Sequence, residues 1–149
     1  MYAPDRAVLF AQRRGSKLLD LGGPLPAARV LGFNTDREDG GLETLDLPPC
    51  RYSWWELEAF GPLLGLLRRA VEHDDPELLG RAATVSTEIN QRHRPKPLVP
   101  RLLRLAKSAG AVGLQVAHSG TVAGLLFAPG AGSDGRMPPI VRTSSGHLV

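Results

Sequence analysis

Between Ser53 and Gly110 the chain carries three amphipathic segments in succession, and each has an apolar stripe that needs a surface to lie against. The first opens on Ser53 with Glu56 three residues later, a capping box in which each side chain satisfies a free backbone N–H at a helix start. Behind it Leu57, Phe60, Leu64, Leu67 and Val71 recur at three- and four-residue steps. Gly61-Pro62 is expected to loosen this helix near its first turns, and of Trp54 and Trp55 one is expected to pack inward as a lid on the core and the other to lie partly exposed. The second helix starts from Asp75 as cap with Pro76 in the first turn, where a missing N–H costs nothing. Its stripe is Leu78, Ala82, Val85 and Ile89, with Glu77–Arg81 and Glu88–Arg92 as solvent-side pairs. Pro95 and Pro97 interrupt, because proline disfavours helical geometry in the residue before it. The third helix spans about 99–109 with Leu102, Leu105, Ala106 and Ala109 inward, and Gly110 stops it.

The surface these stripes need is supplied by extended segments on either side. Ala7-Val8-Leu9-Phe10, the polar turn 12–16 and 17–21 read as a hairpin, and Arg29-Val30-Leu31-Gly32-Phe33 as a buried strand closing into Asn34-Thr35-Asp36. After the helices, residues 112–117 and 122–127 are apolar runs joined by His118-Ser119-Gly120-Thr121, a strand, a tight loop and a strand. Residues 129–139 are rich in Gly and Pro with little to bury and read as a mobile loop, and Pro139-Ile140-Val141-Arg142-Thr143 offers a last edge strand. The expected class is α+β: a two-layer sandwich of an antiparallel sheet with helices mainly on one face. The expected division is a mainly extended segment at 1–50, the principal domain at 51–128, and loop plus possible strand at 129–149. At 149 residues and 42% apolar composition, one core is what the chain can bury.

Several function classes find no support. No run approaches the roughly 18 apolar residues of a membrane helix, and the N-terminus has no signal-peptide pattern, so a soluble, cytoplasmic protein without membrane contact is expected. Cys50 is the only cysteine, in Leu47-Pro48-Pro49-Cys50, and reads as structural or merely exposed. His73, His93 and His147 have no mutual spacing for a metal site, and no Gly-x-Ser-x-Gly elbow supports a hydrolase triad around His118 and Ser119. Arg92, Arg94 and Lys96, then Arg101, Arg104 and Lys107, concentrate positive charge in a chain of net charge +3. Without interleaved aromatics or a docking motif they argue against nucleic acid and for a solvated face or an anion-attracting rim.

The segment that carries chemistry is Gly110-Ala111-Val112-Gly113-Leu114-Gln115-Val116-Ala117-His118-Ser119-Gly120-Thr121-Val122-Ala123-Gly124. Its glycines remove side chains where backbone turns sharply or approaches a neighbour, and Ser119-Gly120-Thr121 offers N–H groups and two hydroxyls. Such a surface suits an anion or a polar small substrate; an ordinary hairpin whose glycines serve turn and packing reads equally well. His118 either orients a hydroxyl or substrate carboxylate, or is satisfied within its loop. Ser119 and Thr121 either donate to a ligand or cap the turn. Asn90 and Gln91 either reach a substrate or solvate the helix end, and Lys96 between two prolines either meets an anion or is a plain exposed lysine.

The glycine-rich run resembles the third motif of the GHMP kinases, a loop of their C-terminal domain against the nucleotide and substrate site. Ala117-His118-Ser119-Gly120-Thr121, preceded by Asn90-Gln91 and Pro95-Lys96-Pro97, is similar to the L-threonine kinases of cobalamin biosynthesis within that superfamily. The likeness extends from residue 1 to about 128, including Met1-Tyr2, Val8-Leu9-Phe10 and Gly23-Pro24-Leu25-Pro26, and is most specific from 86 to 127. The resemblance implies a ferredoxin-like C-terminal domain and transfer of the γ-phosphoryl group of ATP, with Mg²⁺, to the hydroxyl of L-threonine or a similar amino acid. It makes Asn90, Gln91, Lys96, Gly110, Gly113, His118, Ser119, Gly120 and Thr121 the residues near substrate or nucleotide, with no catalytic residue assigned. The Pro-x-x-x-Gly-x-x-Ser-Ser phosphate loop of family members has no counterpart here. A separate chain carrying the N-terminal half, or self-association, is therefore the implied partner, and the alternative is a noncatalytic fragment or interaction domain.

Overall fold

A computed structural model describes residues 6–11, 14–35, 47–117 and 119–130. Its elements in chain order are β1 (Val8–Ala11), β2 (Ser16–Asp20), β3 (Arg29–Asn34), α1 (Trp54–His73), α2 (Pro76–His93), α3 (Val99–Ala109), β4 (Gly113–Val116) and β5 (Val122–Phe127). The expected strand at 139–143 and the loop at 131–139 lie outside the described residues.

Local chemistry sets the helix ends where the sequence predicts them. Glu56 N–H donates to Ser53 Oγ at 3.4 Å and Ser53 N–H to Glu56 Oε2 at 2.8 Å, completing the box. Asp75 Oδ1 accepts from Glu77 N–H at 2.9 Å and Leu78 N–H at 3.1 Å, and Gly110 ends α3 at φ 70°. Pro62, by contrast, does not loosen α1, which continues through it. The carbonyl deprived of a helical donor is that of Glu58, an exposed residue on the solvent side of the helix, where the lost bond costs least.

The three-stranded antiparallel sheet has the order β3-β5-β4. Central β5 is buried from Ala123 to Phe127. Leu114, Ala123, Leu125 and Phe127 meet Val99, Leu102 and Ala106 of α3, and this is the core. Strand β3 is an edge rather than a buried strand, with Val30 59% exposed, because its apolar residues have only β5 beside them. β1 and β2 pair only with each other, so the single expected sheet is divided into two. The hairpin is anchored at its base, where Ala7 N–H donates to Gly23 O at 2.7 Å and Leu21 N–H to Ala7 O at 2.9 Å.

Helix α2 docks against the outer edge of β4 at backbone contact. An added Cβ on Gly80 would stand 2.2 Å from Val112 O, and one on Gly113 2.1 Å from Gly80 O. That proximity lets threonine hydroxyls replace a missing strand: Leu114 N–H donates to Thr84 Oγ1 at 3.1 Å, and Thr87 Oγ1 donates to Leu114 O at 3.0 Å. Both outward backbone groups of Leu114 are thereby satisfied. α1 packs chiefly on α2. Its inward stripe starts later than expected, for Leu57 is 57% exposed while Ala70 is fully buried. Val85 of α2 is likewise exposed. Neither tryptophan packs inward: Trp54 and Trp55 are 69% and 62% exposed and stack on each other with ring centroids 5.1 Å apart. Arg92 pairs with Glu56 at 3.7 Å instead of Glu88, because the end of α2 lies over the start of α1.

Candidate functional site

The last turn of α2, the Pro95-Lys96-Pro97 linker and the β4–β5 loop converge at one end of the sheet. Gln91 builds the linker: its Oε1 accepts from Lys96 N–H at 2.7 Å, and its Nε2 donates to Arg94 O at 3.1 Å and Asn90 Oδ1 at 3.3 Å. With both ends of its amide occupied, Gln91 positions Lys96 rather than reaching outward. The Lys96 stem crosses the loop, since a Cβ on Gly120 would lie 3.0 Å from Lys96 Cε and 3.8 Å from Arg94 O. Gly120 also has φ 80°, so only glycine meets both demands without strain.

The loop is fixed from three sides. Gly120 N–H donates to Ala117 O at 2.8 Å, Thr35 N–H to Thr121 O at 2.8 Å, and Thr35 Oγ1 to Gly120 O. Thr121 N–H donates to Ser119 Oγ at 3.3 Å, and the two hydroxyls lie 2.8 Å apart. Whichever hydroxyl donates to the other, the acceptor keeps its own proton for a further partner. Ser119 is buried and Thr121 half-buried. The N–H groups of Gly120 and Thr121 are engaged within the turn and do not form an anion cradle.

The structure thus brings together Asn90, Gln91, Lys96, Ser119, Gly120 and Thr121. It places Gly110 at the C-terminus of α3 and Gly113 against α2, where their roles are backbone geometry and close packing. His118 lies outside the described residues. Sequence reasoning missed Thr35, for which the polar turn after β3 was the available signal, and Arg94 as part of this corner. Arg94 Nη2 donates to Pro48 O at 2.9 Å, while its buried Nε has no hydrogen-bond partner among the described residues.

Behind the site a second polar cluster ties the start of α1 to the end of α2. Glu56, 5% exposed, accepts from Ser53 N–H and Oγ on Oε2, and its Oε1 lies 3.0 Å from His93 Nε2. The Ser53 N–H bond, with the Ser53 hydroxyl and His93, holds the Glu56 carboxyl below its ordinary range despite burial. The Tyr52 ring stands edge-on to His93 at 4.8 Å and Phe60 at 5.1 Å; its hydroxyl is pushed up by burial and then by neighbouring Cys50. Among the described residues no three His, Cys, Asp or Glu side chains are grouped to hold a metal ion, and no helix is long and apolar enough to cross a membrane.

The site is therefore a polar corner with one positioned lysine, a hydroxyl pair and rigid glycine backbone, on an α+β domain. Part of the chain is similar to L-threonine kinases. It is 43% identical over 62 residues to the L-threonine kinase of Salmonella typhimurium, covering 42% of this chain and 21% of that protein. It is 40% identical over 61 residues to the L-threonine kinase of Citrobacter freundii, covering 41% and 21%. The matched segment thus spans about a fifth of these relatives' length and is narrower than the likeness read from residue 1 to about 128. No protein-family model matches the chain, and no solved structure does.

Proposed function

We propose that this chain supplies the acceptor side of a small-molecule kinase that transfers the γ-phosphoryl group of ATP to the hydroxyl of L-threonine or a similar amino acid, in the cobalamin pathway. The observation that carries the reading is the 43% identity to an L-threonine kinase. The contact of Lys96 with the Ser119-Gly120-Thr121 loop supports it. Phosphoryl transfer depends on placement and charge. In this reading Lys96 places positive charge beside the acceptor, Ser119 and Thr121 orient its polar groups, and Gln91 holds Lys96 in position.

Among the described residues no three His, Cys, Asp or Glu side chains are grouped to hold a metal ion, so Mg²⁺ would be held chiefly by the nucleotide phosphates. The turn N–H groups are engaged, so the triphosphate needs a cradle from beyond this loop. The isolated chain is expected to bind L-threonine weakly and to show no turnover. Calorimetric titration with L-threonine, with magnesium ATP, and with both tests this. Heat with L-threonine that is lost in Lys96→Ala is expected; silence with every titrant, or turnover by the chain alone, refutes the reading as stated.

One observation favours a noncatalytic pairing role. β1 and β2 form an isolated ribbon carrying exposed Leu9, Phe10 and Leu18, and a two-stranded ribbon is marginal in water. A separate kinase half that pairs with it would cover these side chains. Association with such a half that Phe10→Ser and Leu18→Ser abolish, in a chain that gives no heat with L-threonine, would establish this role instead.

A further inference from the structure

We propose that the outer face of α1 is a homodimer interface in which two copies pack antiparallel about a two-fold axis near Gly61. This face lies away from α2 and does not depend on the kinase reading. Residues Trp54, Glu58, Gly61, Gly65, Arg68 and Glu72 are all exposed and recur at alternating steps of four and three, so they form one seam along the helix. Trp55 and Arg69 flank it, and both are exposed.

Three features make the partner a second copy. First, the seam is self-complementary. Related by a two-fold axis between Gly61 and Pro62, the N-terminal half of one helix faces the C-terminal half of the other. That arrangement sets the stacked indoles of Trp54 and Trp55 against the guanidinium groups of Arg68 and Arg69, a cation–π match made twice. It also sets Arg51, just before α1, opposite Glu72, and this match too occurs twice. None of Arg51, Glu58, Arg68, Arg69 and Glu72 has an ion-pair partner among the described residues. Second, the middle is open: nothing lies within 4 Å of a Cβ added to Gly61 or Gly65, so a second helix can approach closely.

Third, the area is of the right size. With a full tryptophan presenting about 250 Å², the exposed shares of Trp54, Trp55 and Leu57 (69%, 62% and 57%) amount to on the order of 400 Å² of apolar surface per protomer. That is the size of the largest patch on a typical monomer, which is often functional, and two copies with the rest of the seam reach the roughly 1,200 Å² at which stable interfaces begin.

Sedimentation of the whole chain from about 1 to about 200 μM, concentrations at which an interface near the lower size limit can assemble, tests the proposal. The mass is expected to rise from 16.0 kDa toward twice that value. Trp54→Ala with Trp55→Ala is expected to weaken association at least tenfold without lowering the midpoint of urea unfolding, because both side chains are exposed. Arg51→Glu and Glu72→Arg should each weaken it, and an equimolar mixture of the two variants, or one chain carrying both changes, should restore it. A chain that stays monomeric over the whole range overturns the proposal. So does a dimer indifferent to the tryptophans, or charge variants that fail to rescue each other.

Discussion

Gly113→Ala tests whether the α2–β4 contact is the joint on which the domain depends. A methyl there would sit 2.1 Å from Gly80 O and 2.5 Å from Gly80 C, both backbone atoms. Restoring an ordinary contact of about 3.5 Å requires α2 to withdraw by about 1.4 Å. The two bonds across the joint, now 3.1 Å and 3.0 Å, would then exceed hydrogen-bonding range. Each is worth about 1 kcal/mol, and desolvated Leu114 groups left without partners add about 1 to 3 kcal/mol, for an expected loss of about 3 to 5 kcal/mol. Against a usual stability of about 5 to 15 kcal/mol, much of the folded population is at stake. Urea unfolding followed by tryptophan fluorescence and by circular dichroism measures it. Gly32→Ala is the matched control: it lies in the same sheet, nothing is within 4 Å of its added Cβ, and it should gain about 0.5 to 1 kcal/mol. A loss below about 1 kcal/mol for Gly113→Ala, or an equal loss at Gly32, would refute the close-contact argument.

Gly80→Ala should cost about as much as Gly113→Ala, and the double variant should cost clearly less than both together, because one withdrawal of α2 relieves both clashes; additive losses in urea would count against a shared joint. Gly120→Ala should cost about 1 to 2 kcal/mol from its positive φ and displace Lys96, so L-threonine binding should fall with it in calorimetry. The Glu56 carboxyl titrates below its unfolded value of 4.5, so its stabilising contribution is complete above that pH and is lost as pH falls through the lower folded value. The gap in urea midpoint between the parent and Glu56→Gln should accordingly be widest near neutrality and close below pH 4.5; a gap that widens with acid contradicts the assignment. Ser53→Ala should destabilise by about 1 kcal/mol through loss of the cap.

The candidate site was legible in part. Asn90, Gln91, Lys96 and the Ser119-Gly120-Thr121 loop were read from glycine spacing, proline punctuation and resemblance, and the fold brings them to one corner. Gln91 turned out to act on the backbone of its own chain reversal, which residue type alone does not reveal. Thr35 escaped notice because a threonine in a turn carries no signal until the chain 85 residues away lies beside it. Arg94 read as one of several solvated cations; its buried Nε became visible only when Pro48 and the linker enclosed it.

Sequence alone determined the elements. Capping chemistry at Ser53 and Asp75, the left-handed stop at Gly110 and the apolar runs around the loop are local interactions, complete within a few residues. They fix where helices and strands begin and end whatever else the chain does. Tertiary structure decided which faces meet. The spacing of Gly113 pointed to a sharp turn or a close approach without naming the neighbour, and only its apposition to Gly80 shows that each is small for the other. The roles of Thr84 and Thr87 exist only because an unpaired strand edge lies beside them. Trp54, Leu57 and Val85 stand out in solvent because which part of an amphipathic stripe is buried depends on where the neighbouring element stops, and that distance is not written within the helix.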